Sequence, residues 1–270
     1  MQQMEYVPGR QGTRRHRGQQ KLLLSEIEFL TMYANKQSVV VYAGAADGYH
    51  IPLLTQLFPC VQAWFLWDPA PFAQNVLDAC DGETFFVYNR PFTDAVAKHY
   101  AAATAGSNLL FICDIRREAT DENSIREDMQ LQLAWSRSMN AHASMLKFRL
   151  PYLHPDQPDT PVLYAAARIF LQVYAPKNST ECRCILDQNT PKELVEYSPR
   201  IHEERMCWFN NELREKQAYD EKAERMILRG YLEKNRGVIQ VSTVEGMLAL
   251  IDTYMSRRFR HGQRKRDRRA

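Results

Sequence analysis

The sequence lacks several patterns that assign a chain to a class at once. Its six cysteines form no Cys-x-x-Cys pair and have no histidines at zinc-ligand spacing, so no metal site is expected. No apolar stretch is long enough to cross a bilayer, and no leader-like segment is recognisable. We therefore expect a soluble protein of a reducing compartment.

Net charge is also small, at a formal +3, but basic residues are unevenly distributed. One cluster covers residues 14–17, and a second run over residues 257–269 contains almost no apolar residue. Such clusters often contact phosphate backbones, although a solvated tail without a partner is an equal alternative for the second. We predict a basic N-terminal arm at 1–20, one domain at 21–256, and a basic flexible tail at 257–270.

Strand-like and helix-like segments alternate along the first part of the chain, which predicts βαβ units and a mostly parallel sheet. Strands are predicted at 38–43, 61–67, 84–88, 108–113 and 144–150, and helices at 22–33, before 58, and at 71–79, 91–103 and 122–141. Further strands at 162–173 and 182–186 are expected to add antiparallel at one edge, with helices at 202–214 and 244–254. The fold class is therefore α/β.

The first strand leads into Tyr42-Ala-Gly-Ala-Ala-Asp-Gly48, and the second ends at Asp68. Glycines let a ligand approach the backbone, and an acid after the second strand can accept hydrogen bonds from ribose hydroxyls. The full Gly-x-Gly-x-x-Gly pattern and a Walker lysine are both missing, so a plain turn is the alternative. Asp47 would repel a pyrophosphate, which favours a cationic sulfonium cofactor, S-adenosylmethionine, over NAD.

Five segments together resemble one family, in family order over about residues 5–215. They are residues 18–24 (GQQKLLL), 40–44 (VVYAG), 112–116 (ICDIR), 144–149 (SMLKFR) and 175–183 (APKNSTECR). The family is the poxvirus cap-specific mRNA 2′-O-methyltransferase, which is also the small stimulatory subunit of the poly(A) polymerase. The resemblance implies a Rossmann-like methyltransferase fold, S-adenosyl-L-methionine as cofactor, capped mRNA as substrate, and a divergent large-DNA-virus source, with localisation in virion and host cytoplasm.

The resemblance also implies a catalytic set of Lys21, Asp114, Lys147 and Glu181. A ribose 2′-hydroxyl is a poor nucleophile that must lose its proton as it attacks the methyl group. Burial and a cationic neighbour favour the neutral form of a lysine, which can orient or deprotonate that hydroxyl. We assign this role to Lys147. Lys21 and Arg116 would supply positive field, and the two acids would hold the lysines.

Cofactor contacts are carried over to residues at matching family positions. They are Gln19, Tyr42, Gly44, Gly48, Asp68, Asp114 and Arg116. Two positions depart from the family. Asp47 stands where the family has proline, and Ala70 stands where the family has an arginine, for which Arg90 of the next strand is a candidate substitute.

A methylated guanine is positively charged and stacks between aromatic rings, while an acid receives its ring protons. The resemblance assigns the rings to Tyr6 and Tyr152 and the acids to Asp156 and Glu203. The segment at 153–156 looks two residues longer than in the family, so His154 is an alternative to Asp156. RNA beyond the cap is expected along a basic groove. Its candidates are Arg14, Arg15, Arg17, Arg116, Arg117 and Arg149.

Two functions compete. The first is cap-0 to cap-1 methylation of the first transcribed nucleotide. The second is a non-catalytic stimulatory or processivity role beside the catalytic subunit of a viral poly(A) polymerase; the family can combine both. A third function, that of an NAD-dependent dehydrogenase on the same fold, is disfavoured. The sequence shows no suitable proton relay for it, and Asp47 would repel the pyrophosphate of the cofactor.

Overall fold

A computed structural model describes residues 18–154 and 156–267, and only the backbone of residues 257–267. The strands are β1 (Ser38–Ala43), β2 (Ala63–Trp67), β3 (Phe85–Tyr88), β4 (Asn108–Cys113), β5 (Ala143–Phe148), β6 (Val162–Ala165), β7 (Arg168–Phe170), β8 (Cys182–Asp187) and β9 (Leu194–Tyr197). The helices are α1 (Gly18–Tyr33), α2 (Ile51–Leu57), α3 (Gln74–Asp78), α4 (Asp94–Ala103), α5 (Glu122–Ser138), α6 (Pro199–Trp208), α7 (Arg214–Lys216), α8 (Tyr219–Lys234) and α9 (Val244–Asp267). A π-helical turn, Phe209–Leu213, joins α6 to α7.

Seven of these strands form one sheet in the order β3-β2-β1-β4-β5-β8-β7. The pairings from β3 to β5 are parallel, whereas β8 pairs antiparallel with both β5 and β7. This is the predicted Rossmann-like methyltransferase fold, and the prediction of a mostly parallel sheet with antiparallel additions is confirmed.

Helices cover both faces of the sheet, which explains the continuous apolar composition of the central strands. Every residue of β1 and β4 is buried. On one face Leu23 and Ile27 of α1 pack against the sheet, and on the other Met129 and Leu133 of α5 do so. Each such side chain contributes about 1.5–3 kcal/mol by its burial. The packing fixes the strand ends that carry the polar residues described below.

The prediction of one strand over 162–173 is wrong. A tight turn, in which the Ala167 amide donates to the Ala165 carbonyl at 2.8 Å, divides it into β6 and β7. β6 leaves the main sheet and pairs antiparallel with β9, a strand that the sequence reading missed. Apolar composition alone does not show where a strand changes sheets, because both halves remain largely apolar.

Helix boundaries also differ from the predictions. α1 begins at Gly18, four residues before the start of the helix predicted at 22–33. α8 was missed, although Ala223, Ile227 and Tyr231 form a buried stripe at helical spacing. The backbone of α9 continues to Asp267, beyond the end of the helix predicted at 244–254. In the part of the chain that the structure describes, every helix is too short or too polar to span a bilayer.

Glu28 of α1 supports a stability prediction. It lines a cavity of about 210 Å³ with apolar residues of β7 and α8, and burial raises its pKa from 4.5 to about 7 although Arg168 opposes the shift. A raised carboxyl pKa means that folding stability is lost as the pH rises from about 4.5 to about 7. Glu28→Gln should therefore stabilise the fold at pH 8 by up to about 3 kcal/mol, and by much less at pH 5. Urea unfolding at the two pH values measures this, and an equal gain at both would contradict it.

Candidate active site

The carboxyl ends of β1, β2, β4 and β5 lie at the same edge of the sheet as the amino end of the antiparallel β8, and we call this edge the crevice. In open α/β sheets ligands bind at this edge, beside the point where strand order reverses, here between β1 and β4. Gly44 follows β1 with φ +78°, and a Cβ there would lie 2.6 Å from the backbone nitrogen of Ile115. Gly48 has φ +67°, and its Cβ would lie 2.7 Å from the Ala45 carbonyl oxygen. Both glycines are thus required by the loop's own geometry.

The four residues of the proposed catalytic set come together in this crevice. Lys147 Nζ lies 3.1 Å from Asp114 Oδ1 and 3.5 Å from Glu181 Oε2. Lys21 Nζ, from the first turns of α1, lies 3.2 Å from Glu181 Oε1. All four side chains are between 13% and 19% exposed, so the cluster is largely buried but reachable. Residues far apart in sequence therefore form one ionic network.

Arg183 is a fifth member of this network, and the sequence reading gave it no role. Its Nη2 lies 2.8 Å from Asp114 Oδ1 and 3.5 Å from Glu181 Oε1, and its side chain is 2% exposed. Arg183 faces Lys147 across the β5–β8 pairing. The sequence did contain a signal for Arg183. Glu181 immediately precedes the apolar strand β8 and Arg183 lies two residues later, and residues at that spacing in extended chain share a face.

The charges of the network control one another. Burial alone would raise the pKa of Glu181, but Arg183, Lys147 and Lys21 together hold it below its usual value. Glu181 is therefore ionised at neutral pH. Burial lowers the pKa of the Arg116 guanidinium, and the charge of Glu181 opposes this shift. The two terminal guanidinium nitrogens of Arg116 are buried and have no hydrogen-bond partner among the residues that the structure describes. Those nitrogens can bind an anionic group.

A second, fully buried network lies beside the crevice. The Tyr42 hydroxyl donates to Glu26 Oε1 at 2.6 Å, and His50 Nε2 lies 2.7 Å from Glu26 Oε2. His50 Nδ1 in turn lies 2.6 Å from Gln19 Oε1. Tyr42 is 0% exposed, and its place in the cofactor site stays a prediction. It supports Glu26 and His50, which the sequence reading missed, and through them Gln19.

Asp68 joins the loops that follow β1 and β2. Its Oδ2 accepts from the Ala46 amide at 3.0 Å, and its Oδ1 accepts from the Ala70 amide at 2.8 Å. Each carboxylate oxygen keeps a lone pair for another donor. Arg90, considered as a substitute for the missing family arginine, is exposed, with its guanidinium 5.8 Å from the ring centroids of Trp67 and Tyr88.

Tyr152 connects the proposed cap pocket to residues 178–181, which carry Glu181 and are called the catalytic loop below. Its hydroxyl donates to the Asn178 carbonyl at 3.1 Å and accepts from the Thr180 amide at 3.3 Å. One ring face is covered by Arg149, whose guanidinium carbon lies 4.3 Å from the ring centroid. Arg149 also pairs with Glu122. A positive group therefore already lies where a methylated guanine would stack, and Arg149, predicted to bind RNA, is engaged within the protein.

The two acids predicted to bind the cap lie in different environments. Glu203 of α6 is half-buried; burial raises its pKa, Arg149 and Arg200 lower it, and Glu122 raises it further. It therefore belongs to the charged group around Tyr152. Asp156 is exposed in the loop after β5, as is His154. Arg117 is half-exposed and pairs with Asp128 and Glu127. The predicted contacts at Tyr6, Arg14, Arg15 and Arg17 lie outside the described residues.

Comparison with known proteins adds three similarities. A family described as "Poly A polymerase regulatory subunit" matches residues 1–238. The "Cap-specific mRNA (nucleoside-2'-O-)-methyltransferase" of Myxoma virus, in strains Lausanne and Uriarra, is 26% identical over 217 residues. The match covers 74% of this chain and 62% of each relative, so the chain spans less than two thirds of their length. The resemblance drawn from the five sequence segments is confirmed.

Proposed function

The chain belongs to the family of poly(A) polymerase regulatory subunits, and we propose that it transfers a methyl group from S-adenosylmethionine to the ribose 2′-hydroxyl of the first transcribed nucleotide of capped mRNA. One observation carries this proposal. Lys147 projects into the ligand edge of the sheet, held between Asp114 and Glu181. A stimulatory subunit without chemistry would not require this arrangement.

The crevice residues fit the proposed cofactor. Asp68 offers carboxylate lone pairs to ribose hydroxyls. The guanidinium nitrogens of Arg116, which have no partner within the described part of the chain, match a carboxylate such as that of the methionine moiety. Gln19, fixed by His50, is a neutral polar group at the same edge. When bound, the cofactor supplies an activated methyl group on a sulfonium, so the protein's task is to position the acceptor and manage its proton.

Lys147 performs that task in the proposed mechanism. Its amine hydrogen-bonds the 2′-hydroxyl, orients the hydroxyl oxygen for attack, and takes up the proton that the hydroxyl loses. Asp68, Gln19 and Arg116 would hold the cofactor, which would supply an electrophilic methyl group to the hydroxyl oxygen and would itself retain the electron pair of the broken bond. Asp114 and Glu181 then stabilise the resulting ammonium group through the contacts already present. Arg183, Lys147 and Lys21 together lower the pKa of Glu181 and keep that acid ionised.

A capped substrate fits the surroundings of Tyr152. A methylated guanine could displace Arg149 from the ring face or stack on the other face, with Glu203 as the neighbouring acid. Either arrangement joins the cap to the catalytic loop through the bonds from Tyr152 to Asn178 and Thr180. RNA beyond the cap would follow the arginines predicted for the groove.

A transfer assay tests the proposal. The protein is incubated with labelled S-adenosylmethionine and short RNAs that carry a methylated cap, an unmethylated cap or no cap. Label is expected at the first nucleotide's 2′-oxygen, mainly on the methylated cap, and nuclease digestion followed by mass spectrometry locates it. Label at guanine N7, or none on any RNA, would refute the proposal.

Asp68→Asn should weaken binding of S-adenosylhomocysteine about 10-fold to 100-fold, since a charged hydrogen bond contributes about 1.5–3 kcal/mol. Titration calorimetry measures the Kd. The matched control is Asp78→Asn, an exposed aspartate that accepts from Gln74 within α3. Equal affinity of both variants would remove Asp68 from the cofactor site.

The family's description favours a second role for the same protein: stimulation of a viral poly(A) polymerase catalytic subunit. This role and methyl transfer are compatible. Adding the chain to such a catalytic subunit and measuring tail length tests it. Stimulation that persists in Lys147→Ala would show that the two roles use separate surfaces.

A further inference from the structure

Gln132 of α5 makes an unusual pair of contacts with the strand that carries Lys147. Its Nε2 donates to the Lys147 carbonyl at 2.7 Å, and its Oε1 accepts from the Lys147 amide at 2.9 Å. Gln132 is 0% exposed. One buried side-chain amide therefore satisfies both backbone groups of a single residue.

The sheet topology explains why these backbone groups need a partner. β4 pairs with β5 only as far as Cys113 and Leu146, and the chain then turns away at Asp114. Lys147 is thus the first residue of β5 beyond the end of its parallel neighbour. Unpaired buried backbone groups would cost about 1–3 kcal/mol each. The side-chain amide of Gln132 forms the two hydrogen bonds that a neighbouring strand would otherwise form with Lys147.

The same contacts set the side-chain geometry. Because the amide and carbonyl of Lys147 point towards Gln132, they point away from β8, so Lys147 and Arg183 form a non-hydrogen-bonded antiparallel pair. Side chains in such pairs lie closer than in hydrogen-bonded ones, with Cα atoms about 4.5 Å apart. Gln132 therefore helps to bring the two cations of β5 and β8 to the same carboxylates.

We propose that Gln132 is a positioning residue for Lys147, one that holds the amine in register with Asp114 and Glu181. This inference rests on the proposed methyl transfer. A displacement of about 1 Å in a reacting group can reduce turnover 100-fold. Loss of Gln132 should accordingly reduce kcat and leave the affinities for RNA and cofactor little changed.

Ser136 offers a matched control. It lies one turn after Gln132 on α5, and its hydroxyl lies 2.7 Å from that of Ser144, so it also joins α5 to β5 within the core. Its partner, Ser144, lies three residues before Lys147 along β5. Ser136→Ala therefore removes a buried α5–β5 hydrogen bond without disturbing Lys147.

The experiment compares Gln132→Leu, Gln132→Met and Ser136→Ala with the parent protein. Thermal unfolding, kcat and KM for capped RNA are measured for each. We expect a 10-fold to 100-fold fall in kcat for the Gln132 variants, a KM within about 2-fold of the parent, and an almost unchanged kcat for Ser136→Ala. The flexible methionine keeps the test decisive if the leucine variant does not fold. A kcat for either folded Gln132 variant equal to that of Ser136→Ala would overturn the proposal.

A second readout separates this inference from the proposed function. Brief labelling with acetic anhydride, followed by mass spectrometry, measures how accessible each lysine amine is without any methyl transfer. Labelling of Lys147 should increase several-fold in the Gln132 variants and not in Ser136→Ala, while the exposed Lys177 serves as internal reference. If the parent protein transfers no methyl group, the proposed function fails but labelling still decides the role of Gln132. Unchanged labelling of Lys147 would overturn that role.

Discussion

Replacement of Lys147 by alanine should reduce kcat for 2′-O-methyl transfer by about 100-fold to 10,000-fold, the usual contribution of general acid–base catalysis. The variant loses the amine held between Asp114 and Glu181 and with it the group that orients the acceptor hydroxyl. Cofactor affinity should remain close to that of the parent, because Asp68 and Arg116 are untouched. Single-turnover assays with saturating capped RNA, together with calorimetry, measure both quantities.

Lys177→Ala is the control for this result. Lys177 is exposed and pairs with Glu215 at 2.9 Å on the surface, so its removal changes the charge equally without entering the crevice. Its kcat should match that of the parent. Comparable activity in Lys147→Ala would mean that the ionic network of the crevice is structural and that the acceptor is prepared elsewhere.

Replacement of Arg183 by methionine should lower the free energy of unfolding at pH 7 by about 3–5 kcal/mol. The substitution leaves Asp114 and Glu181 with less positive charge inside the domain, and an uncompensated buried charge is costly. Methyl transfer should fall too, because the acids would no longer hold the lysines in register. Urea denaturation gives the stability change.

The difference in the free energy of unfolding between Arg183→Met and the parent should change with pH in a definite direction. Glu181 has a folded pKa below its ordinary value of 4.5, so its stabilising effect is present above about pH 4.5 and is lost as the pH falls through the folded value. Arg183→Met reduces this stabilising effect. The difference in the free energy of unfolding between variant and parent should therefore become smaller below about pH 4.5. The control is Arg168→Met on the neighbouring strand, half-exposed and 3.6 Å from Asp187, which should cost less than about 1 kcal/mol. Equal losses at the two arginines would contradict the argument.

The parts of the fold that follow from periodicity were predictable from sequence. β1 and β4 were placed residue for residue, because they are continuous apolar runs bounded by polar residues. The turn that diverts β6 out of the sheet was not, since it depends on a partner, β9, that lies almost thirty residues later. α8 carried a readable apolar stripe that was overlooked.

In the site, the acids and lysines were found through the family's motifs, whereas their supporting residues were not. Glu26 and Gln132 look like ordinary helix-surface residues in sequence, and only the three-dimensional packing shows that both are fully buried. Polar residues of this kind stabilise a site through contacts with distant elements. Local sequence carries little information about such contacts.

The position of the Tyr152 hydroxyl has a consequence for substrate choice. It is bonded to backbone groups at Asn178 and Thr180, immediately before Glu181, so hydrogen bonds link the aromatic ring to the segment that carries the acid beside Lys147. An RNA end that tilts the ring would disturb the acid as well. Discrimination between RNA ends should consequently appear in turnover number as well as in binding strength, even when two RNAs are held equally tightly.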